Sequence, residues 1–269
     1  MRGRECLTQL PVPVGSFSKH HGAAEVLRET FAAHSTGAMF QTLEETFRRL
    51  TALDPEVVAI AGLSLRVSLS AVGLGTLVGV PLGALVAVSA CPGRRLVTGC
   101  LNAAMGLPPV VIGLVLYLLL SRSGPLGWLG LLFTPGAMIA AQTVLVVPLI
   151  AALARQIVAD AEEHLGEQLR SLGLGPARRA AILIYDTRFS LVTAILAAFG
   201  RAISEIGAVL VVGGNIDGHT RTMTTAISLE TQKGDLPLAL ALGLVLIAIV
   251  LVVSATASLL RSHAMRAYG

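Results

Sequence analysis

Arg201 and Glu205 sit four positions apart in FGRAISEIGAVLVVGGNI, Phe199 to Ile216, a stretch otherwise apolar enough to lie in a membrane. An unpaired charge at that depth costs several kcal/mol, so both side chains should face protein, a water-filled path, or each other. One helical turn separates them and they can pair along it, although Arg before Glu is the less favourable order for the helix dipole. Counted from Phe189 at about 1.5 Å per residue, they lie roughly 18 to 24 Å along a helix, beyond the midplane toward the outer side. Two readings follow. Arg201 supplies positive potential to an anion path while Glu205 holds it or closes a gate, or the two form a structural ion pair that fixes helix packing.

Gly213, Gly214 and Asn215 form a helix-stopping, turn-forming sequence, and about twenty residues then precede the next apolar run. That segment is rich in hydroxyls, with Thr220, Thr222, Thr224 and Thr225. It either lines an outer gate, docks a partner, or only connects two spans. Pro108, Pro109 and Pro148 interrupt apolar runs and should kink helices there, as flexing points or as fixed shape. Gly73, Gly75, Gly79 and Gly83 give one run a small-residue face for close helix packing.

Catalytic chemistry is not suggested. No span or loop gathers a nucleophile with a base, paired carboxylates, or metal ligands. Cys6, Cys91 and Cys100 form no metal or disulfide spacing and read as packing residues, and the six histidines do not suggest a metal cluster. There is no GxxxxGK[ST] phosphate loop, so the chain is not expected to hydrolyse ATP or to bind a cofactor or metal itself.

The elements that must position these residues are membrane helices. Of 269 residues 54% are hydrophobic and 13% charged, with a mean hydropathy of +0.76, outside the range of ordinary soluble domains. About 20 apolar residues cross a bilayer, and the runs predict five helices over about 67–90, 96–121, 134–154, 189–215 and 236–260. The fold class is therefore an all-α integral membrane protein; the alternation of a β-barrel is absent. One membrane domain, 57–260, is expected, with an amphipathic or external segment over 39–56 and a tail over 261–269.

Arg94, Arg95, Arg155, Arg170, Arg178, Arg179, Arg188, Arg261 and Arg266 all fall in alternate loops and the tail, which makes that side, and the C-terminus, cytoplasmic. Trp128 then suits the outer interface. The net charge of +4 is accounted for by these loops and calls for no nucleic-acid partner. The six Lys and Arg residues before Glu56 run against this orientation. Residues 1–38 are read as an N-terminal extension or a misassigned start, with translation expected from Met39. Leu43, Phe47 and Leu50 give residues 42–53 an apolar face suited to a helix lying on the lipid surface.

Residues 155–188, between the third and fourth runs, are too long for a simple connection. Ile157, Ala161, Leu165 and Leu169 make one helical face, GLGP (Gly173 to Pro176) breaks the helix, and a second helix is expected from about Ala177 to Tyr185. A helix hairpin of this kind can fit a partner's groove, or can merely join two spans.

The spacing of Glu167, Gly173 and Leu183 resembles the EAA loop of ATP-binding-cassette importer permeases. Gln168 and Leu169 stand where that motif has two alanines, and Tyr185 and Asp186 where it has Leu-Pro. The longer stretch FGRAISEIGAVLVVGGNIDGHTRTMTTAISLETQKGD, Phe199 to Asp235, resembles the fourth span and following segment of tungstate-type permeases in the molybdate, tungstate and sulfate importer group. LNAAMGLPPVVIGLVLYLLLSRSGPLG, Leu101 to Gly127, and SLRVSLSAVGLGTLVGVPLGALVA in the first span resemble the same group, so the likeness covers roughly 39–260.

The resemblance implies a permease subunit with the type I importer transmembrane fold, multi-pass in the cytoplasmic (inner) membrane of a prokaryote, moving an oxyanion, with tungstate ahead of molybdate or sulfate. It implies a homodimer, a cytoplasmic ATPase subunit that uses ATP, and an extracytoplasmic binding protein. Glu167, Gly173 and Leu183 would couple to the ATPase, while Arg201, Glu205, Asn215, Thr220 and Thr224 would line a path or gate. A self-contained secondary transporter or channel is the competing reading, against which stand the long loop and the absence of a visible internal repeat.

Overall fold

The computed structural model describes residues 40–52, 54–89 and 93–268. Expectations for residues 1–38, the Met39 start, Cys6 and Cys91 lie outside the described residues. The chain divides into two units, residues 1–45 and 46–269. The described part of the first, residues 40–45, is helical and belongs to helix α1 over residues 40–51, where Phe40, Leu43 and Phe47 are exposed.

The second unit is helical throughout its ordered elements: α2 (Pro55–Val88), α3 (Arg94–Met105), α4 (Pro109–Leu120), α5 (Pro135–Ser171), α6 (Pro176–Asp186), α7 (Arg188–Ile203), α8 (Gly207–Gly213), α9 (Met223–Lys233) and α10 (Leu236–Tyr268). Three helices are long and apolar enough to cross a membrane, α2, α5 and α10, and two bent pairs, α3–α4 and α6–α7, raise the number to as many as five if each pair counts as one span. The all-α membrane fold is as expected, but helix limits differ, including those of α10, which runs on through the expected tail to Tyr268.

α2 starts a dozen residues before the apolar run, because Asp54 accepts the Glu56 N–H at 3.0 Å and Pro55 opens the first turn. The expected span over 96–121 is two helices bent by 96°. Pro108 and Pro109 break it rather than kink it, since Pro108 is extended and disfavours helix for the residue before it. α5 does not end at 154 but continues for 37 residues, so the third span and the first half of the hairpin are one helix. Pro148 lies inside it without ending it. The expected span over 189–215 is broken after Ile203, and the expected connector after it contains a helix, α9.

α2 and α5 form the central pair. Val146 and Ile150 of α5 pack against Gly75 and Gly79, and a Cβ at Gly83 would meet Ala151 O and come within 2.8 Å of the Arg155 backbone N. Three of the four glycines thus permit close approach, whereas Gly73 faces open space. The core is in three parts. Val72, Val80, Ile150, Phe199, Ala202 and Leu242 belong to the largest; Val67, Met138, Ala208 and Val212 to a second; Ala84, Val88, Val158 and Leu183 to a third beneath the hairpin. α3 buries no residue, and α4 buries only Gly113 and Leu120. Cys100, on α3, is exposed rather than packed.

Candidate functional site

The Arg201–Glu205 stretch is a break between two helices. α7 ends at Ile203, Ser204 caps it, and α8 begins at Gly207. Gly200 and Gly207 weaken the helix, and the Ser204 hydroxyl donates back to Gly200 O at 2.9 Å, a contact that bends helices. At membrane depth the backbone groups freed by a break need other partners. Gln142 Nε2 of α5 donates to Ala202 O at 3.0 Å. Thr224 Oγ1 of α9 donates to Glu205 O at 3.0 Å. Glu205 Oε1 accepts the Gly207 N–H at 3.0 Å, beginning α8.

The expected helical pairing of Arg201 with Glu205 is therefore corrected: the helix ends between them, and Glu205 is occupied with the backbone of α8. Arg201 is exposed and makes no ion pair or hydrogen bond among the described residues. Arg201 and Glu205 do share a cavity of about 150 Å³, lined also by Met105 and Pro109 from either side of the α3–α4 break and by Gln142 of α5. Two helix breaks and one uncompensated guanidinium thus meet at one place. Gln142 is buried, and its Oε1 has no partner. One guanidinium can attract an anion, but with so few donors it does not enclose one tightly.

The hydroxyl-rich segment is placed beside this site but not in the cavity lining. Thr220 is buried, donating to Gly213 O at 2.6 Å and accepting the Ile216 N–H at 2.9 Å, so it closes the turn after α8. Asn215 takes positive φ (51°) and its Nδ2 donates to Thr225 O at 3.4 Å. Thr222 and Thr225 form a reciprocal cap on α9, and the Met223 N–H donates to Ser64 Oγ of α2 at 2.7 Å. Arg221, buried, lies within 4 Å of three carboxylates: Asp217 at 3.2 Å, Glu56 at 3.7 Å and Glu230 at 3.8 Å. The segment is thereby bound to the start of α2.

At the other end of α5 the hairpin turns at Gly173, whose φ is +72°. Its N–H donates to Arg170 O at 2.9 Å and the Leu174 N–H to Leu169 O at 3.3 Å, the paired bonds of a Schellman cap. Leu183 is fully buried under the end of α2, while Glu167 is exposed. The structural carboxylate is Glu162: its Oε1 accepts from Arg170 Nη1 at 3.0 Å and from Arg179 Nη1, and Arg179 Nη2 donates to Val88 O at 3.1 Å. The hairpin is fastened to both α5 and α2 by that network.

The sequence reading missed Gln142, Glu162, Arg179 and the Arg221 hub. A lone amide in an otherwise apolar run was a readable sign for Gln142. The Glu162–Arg179 pair spans 17 positions and a turn, so no local spacing shows it.

The family of binding-protein-dependent transport system inner membrane components matches residues 79–265. A probable anion ABC transporter permease protein of Haloferax volcanii is 43% identical over 185 residues, covering 67% of this chain and 80% of that protein. The tungstate uptake system permease protein TupB of Peptoclostridium acidaminophilum is 40% identical over 190 residues, 71% and 83% of the two chains. The molybdenum transport system permease protein ModB of Escherichia coli is 32% identical over 183 residues, 65% and 79%. With a membrane-spanning helical fold and a match over most of its length, the chain belongs to the binding-protein-dependent transport system inner membrane components, the permeases of ABC importers.

Proposed function

We propose that the protein is the permease of an oxyanion importer, with tungstate as the leading substrate and molybdate or sulfate as the alternatives. The observation that carries the anion reading is Arg201, a guanidinium unpaired among the described residues, in the cavity where two helix breaks meet. Relatives named for tungstate, molybdenum and sulfate transport support the substrate class, and those named for tungstate are 39–40% identical against 32% for molybdenum and 29–33% for sulfate. The chain binds no cofactor; a partner ATPase hydrolyses ATP, and a binding protein supplies the anion.

A homodimer fits the exposed side of the site. Arg201 facing lipid would cost several kcal/mol, and a second copy against α3 and α4, which bury almost nothing, would remove that cost. The hairpin and C-terminus are cytoplasmic, following the arginines of residues 155–188, so that the ATPase meets the exposed Glu167 and the turn at Gly173 while Leu183 anchors the second helix. On the outer side, Asn215, Thr220 and Thr224 hold the segment that borders the path.

The test is uptake by cells expressing the complete gene set, with tungstate, molybdate and sulfate competing at submicromolar concentration, together with purification of the native complex. Preferential tungstate uptake and a co-purifying ATPase are expected. A complex without an ATPase would overturn the importer assignment, and equal competition by sulfate would remove the preference for tungstate.

A further inference from the structure

We propose that Gln142 is a positioning residue: its hydrogen bond to Ala202 O is the joint through which α5 sets the place of Arg201. The proposal rests on the importer reading and names how one side of the molecule acts on the other.

α5 is a single helix that carries Gln142 at the start of its third turn and ends, at Ser171, in the hairpin. The separation is about 44 Å at about 1.5 Å per residue. Toward the hairpin, α5 is fastened to α6 and α2 through Glu162, Arg179 and Val88 O, and along its length it lies in close contact with the glycine face of α2. A displacement of the hairpin therefore moves α5.

At the far end the helix break is held by four side-chain ties. Ser204 and Glu205 are local to the break, and Thr224 comes from α9. Gln142 alone among them belongs to the helix that continues into the hairpin. Its acceptor, Ala202 O, belongs to the residue next to Arg201. Val146 and Ile150 of α5 also share an apolar core with Ala198, Phe199 and Ala202 of α7. Apolar contacts are non-directional and can slide, whereas a hydrogen bond in an apolar medium is directional and costly to leave unmade. The amide oxygen is buried with no partner among the described residues, so no second bond fixes its head group in one place.

The experiment uses the full complex of permease, ATPase and binding protein in proteoliposomes, comparing Gln142→Met and Gln142→Leu with Thr224→Val, which removes a tie to the same break from a different helix. Anion imported per ATP hydrolysed is the main readout. A second is the thiol-labelling rate of Met105→Cys, placed in the cavity wall in a chain with Cys6, Cys91 and Cys100 changed to Ser, with and without vanadate trapping. Both Gln142 variants should keep ATP hydrolysis while import per ATP falls about tenfold and labelling no longer responds to trapping. Thr224→Val should lower import and hydrolysis together, leaving their ratio unchanged. Wild-type import per ATP in both Gln142 variants, or the same behaviour in all three variants, would overturn the joint and leave Gln142 as one tie among four. Failure of the unsubstituted complex to import any oxyanion would instead count against the importer reading.

Discussion

Charge is treated in opposite ways near the two ends of α5. At the hairpin, the Glu162 carboxylate is shared by two arginines, and the second of these also reaches the last turn of α2. At the cavity, Arg201 has no carboxylate partner among the described residues and Glu205 serves the backbone of a new helix. A neutralised, hydrogen-bonded cluster holds elements in fixed relation, whereas an uncompensated cation beside a cavity is available to something that arrives. The contrast sets a fastened cluster near one end of α5 against an unpaired charge on α7 beside the other. The Thr-rich segment, expected as an outer gate, a docking surface or a connector, is engaged in caps and turns, one of them a bond to the break at Glu205 O.

Removing the arginine of the hairpin cluster should have the largest effect on stability. Arg179→Met leaves the half-buried Glu162 with one, exposed, partner and should cost up to about 3–5 kcal/mol, seen as a lower midpoint of thermal inactivation of the purified complex. A midpoint equal to wild type would show that the cluster fixes nothing. Next comes the contact that joins the two ends: Gly83→Ala forces a methyl against Ala151 O and Arg155, with an expected loss of about 1–3 kcal/mol in the same assay. Gly173→Val places a β-branched residue at positive φ, straining the turn by about 1–3 kcal/mol. That protein should reach the membrane but hydrolyse ATP without import, and normal uptake would count against a coupling role. Glu167→Gln should be the mildest, within about 0.5 kcal/mol of wild type because the side chain is exposed, while weakening ATPase co-purification. A loss of stability there would move Glu167 from the docking surface into the scaffold.

Much of this contrast was legible in the sequence, but unevenly. Apolar run length identifies the membrane class, and the glycine and proline of GLGP locate the hairpin turn, because φ at Gly173 and the missing N–H of Pro176 act locally. Arg201 stood out because a charge in an apolar run is expensive. What could not be read was its partner. Four-residue spacing suggests a pair only if the helix continues, and continuation depended on Gln142 and Thr224, which lie far along the chain and supply alternatives to helical hydrogen bonds. The same holds for the end of α5: the loss of apolar character after Ala154 marks where the lipid contact should stop, not where the helix does. Residue character reports environment, while helix ends are decided by which backbone groups find other partners.

The central claim is that Arg201 is free to meet the anion. Its direct test is ATP-driven oxyanion uptake by Arg201→Ala and Arg201→Lys complexes assembled to wild-type levels in intact cells. The account predicts no uptake by the alanine variant and partial uptake by the lysine variant, which keeps the charge but not the planar donor fork. Full uptake by Arg201→Ala would contradict it.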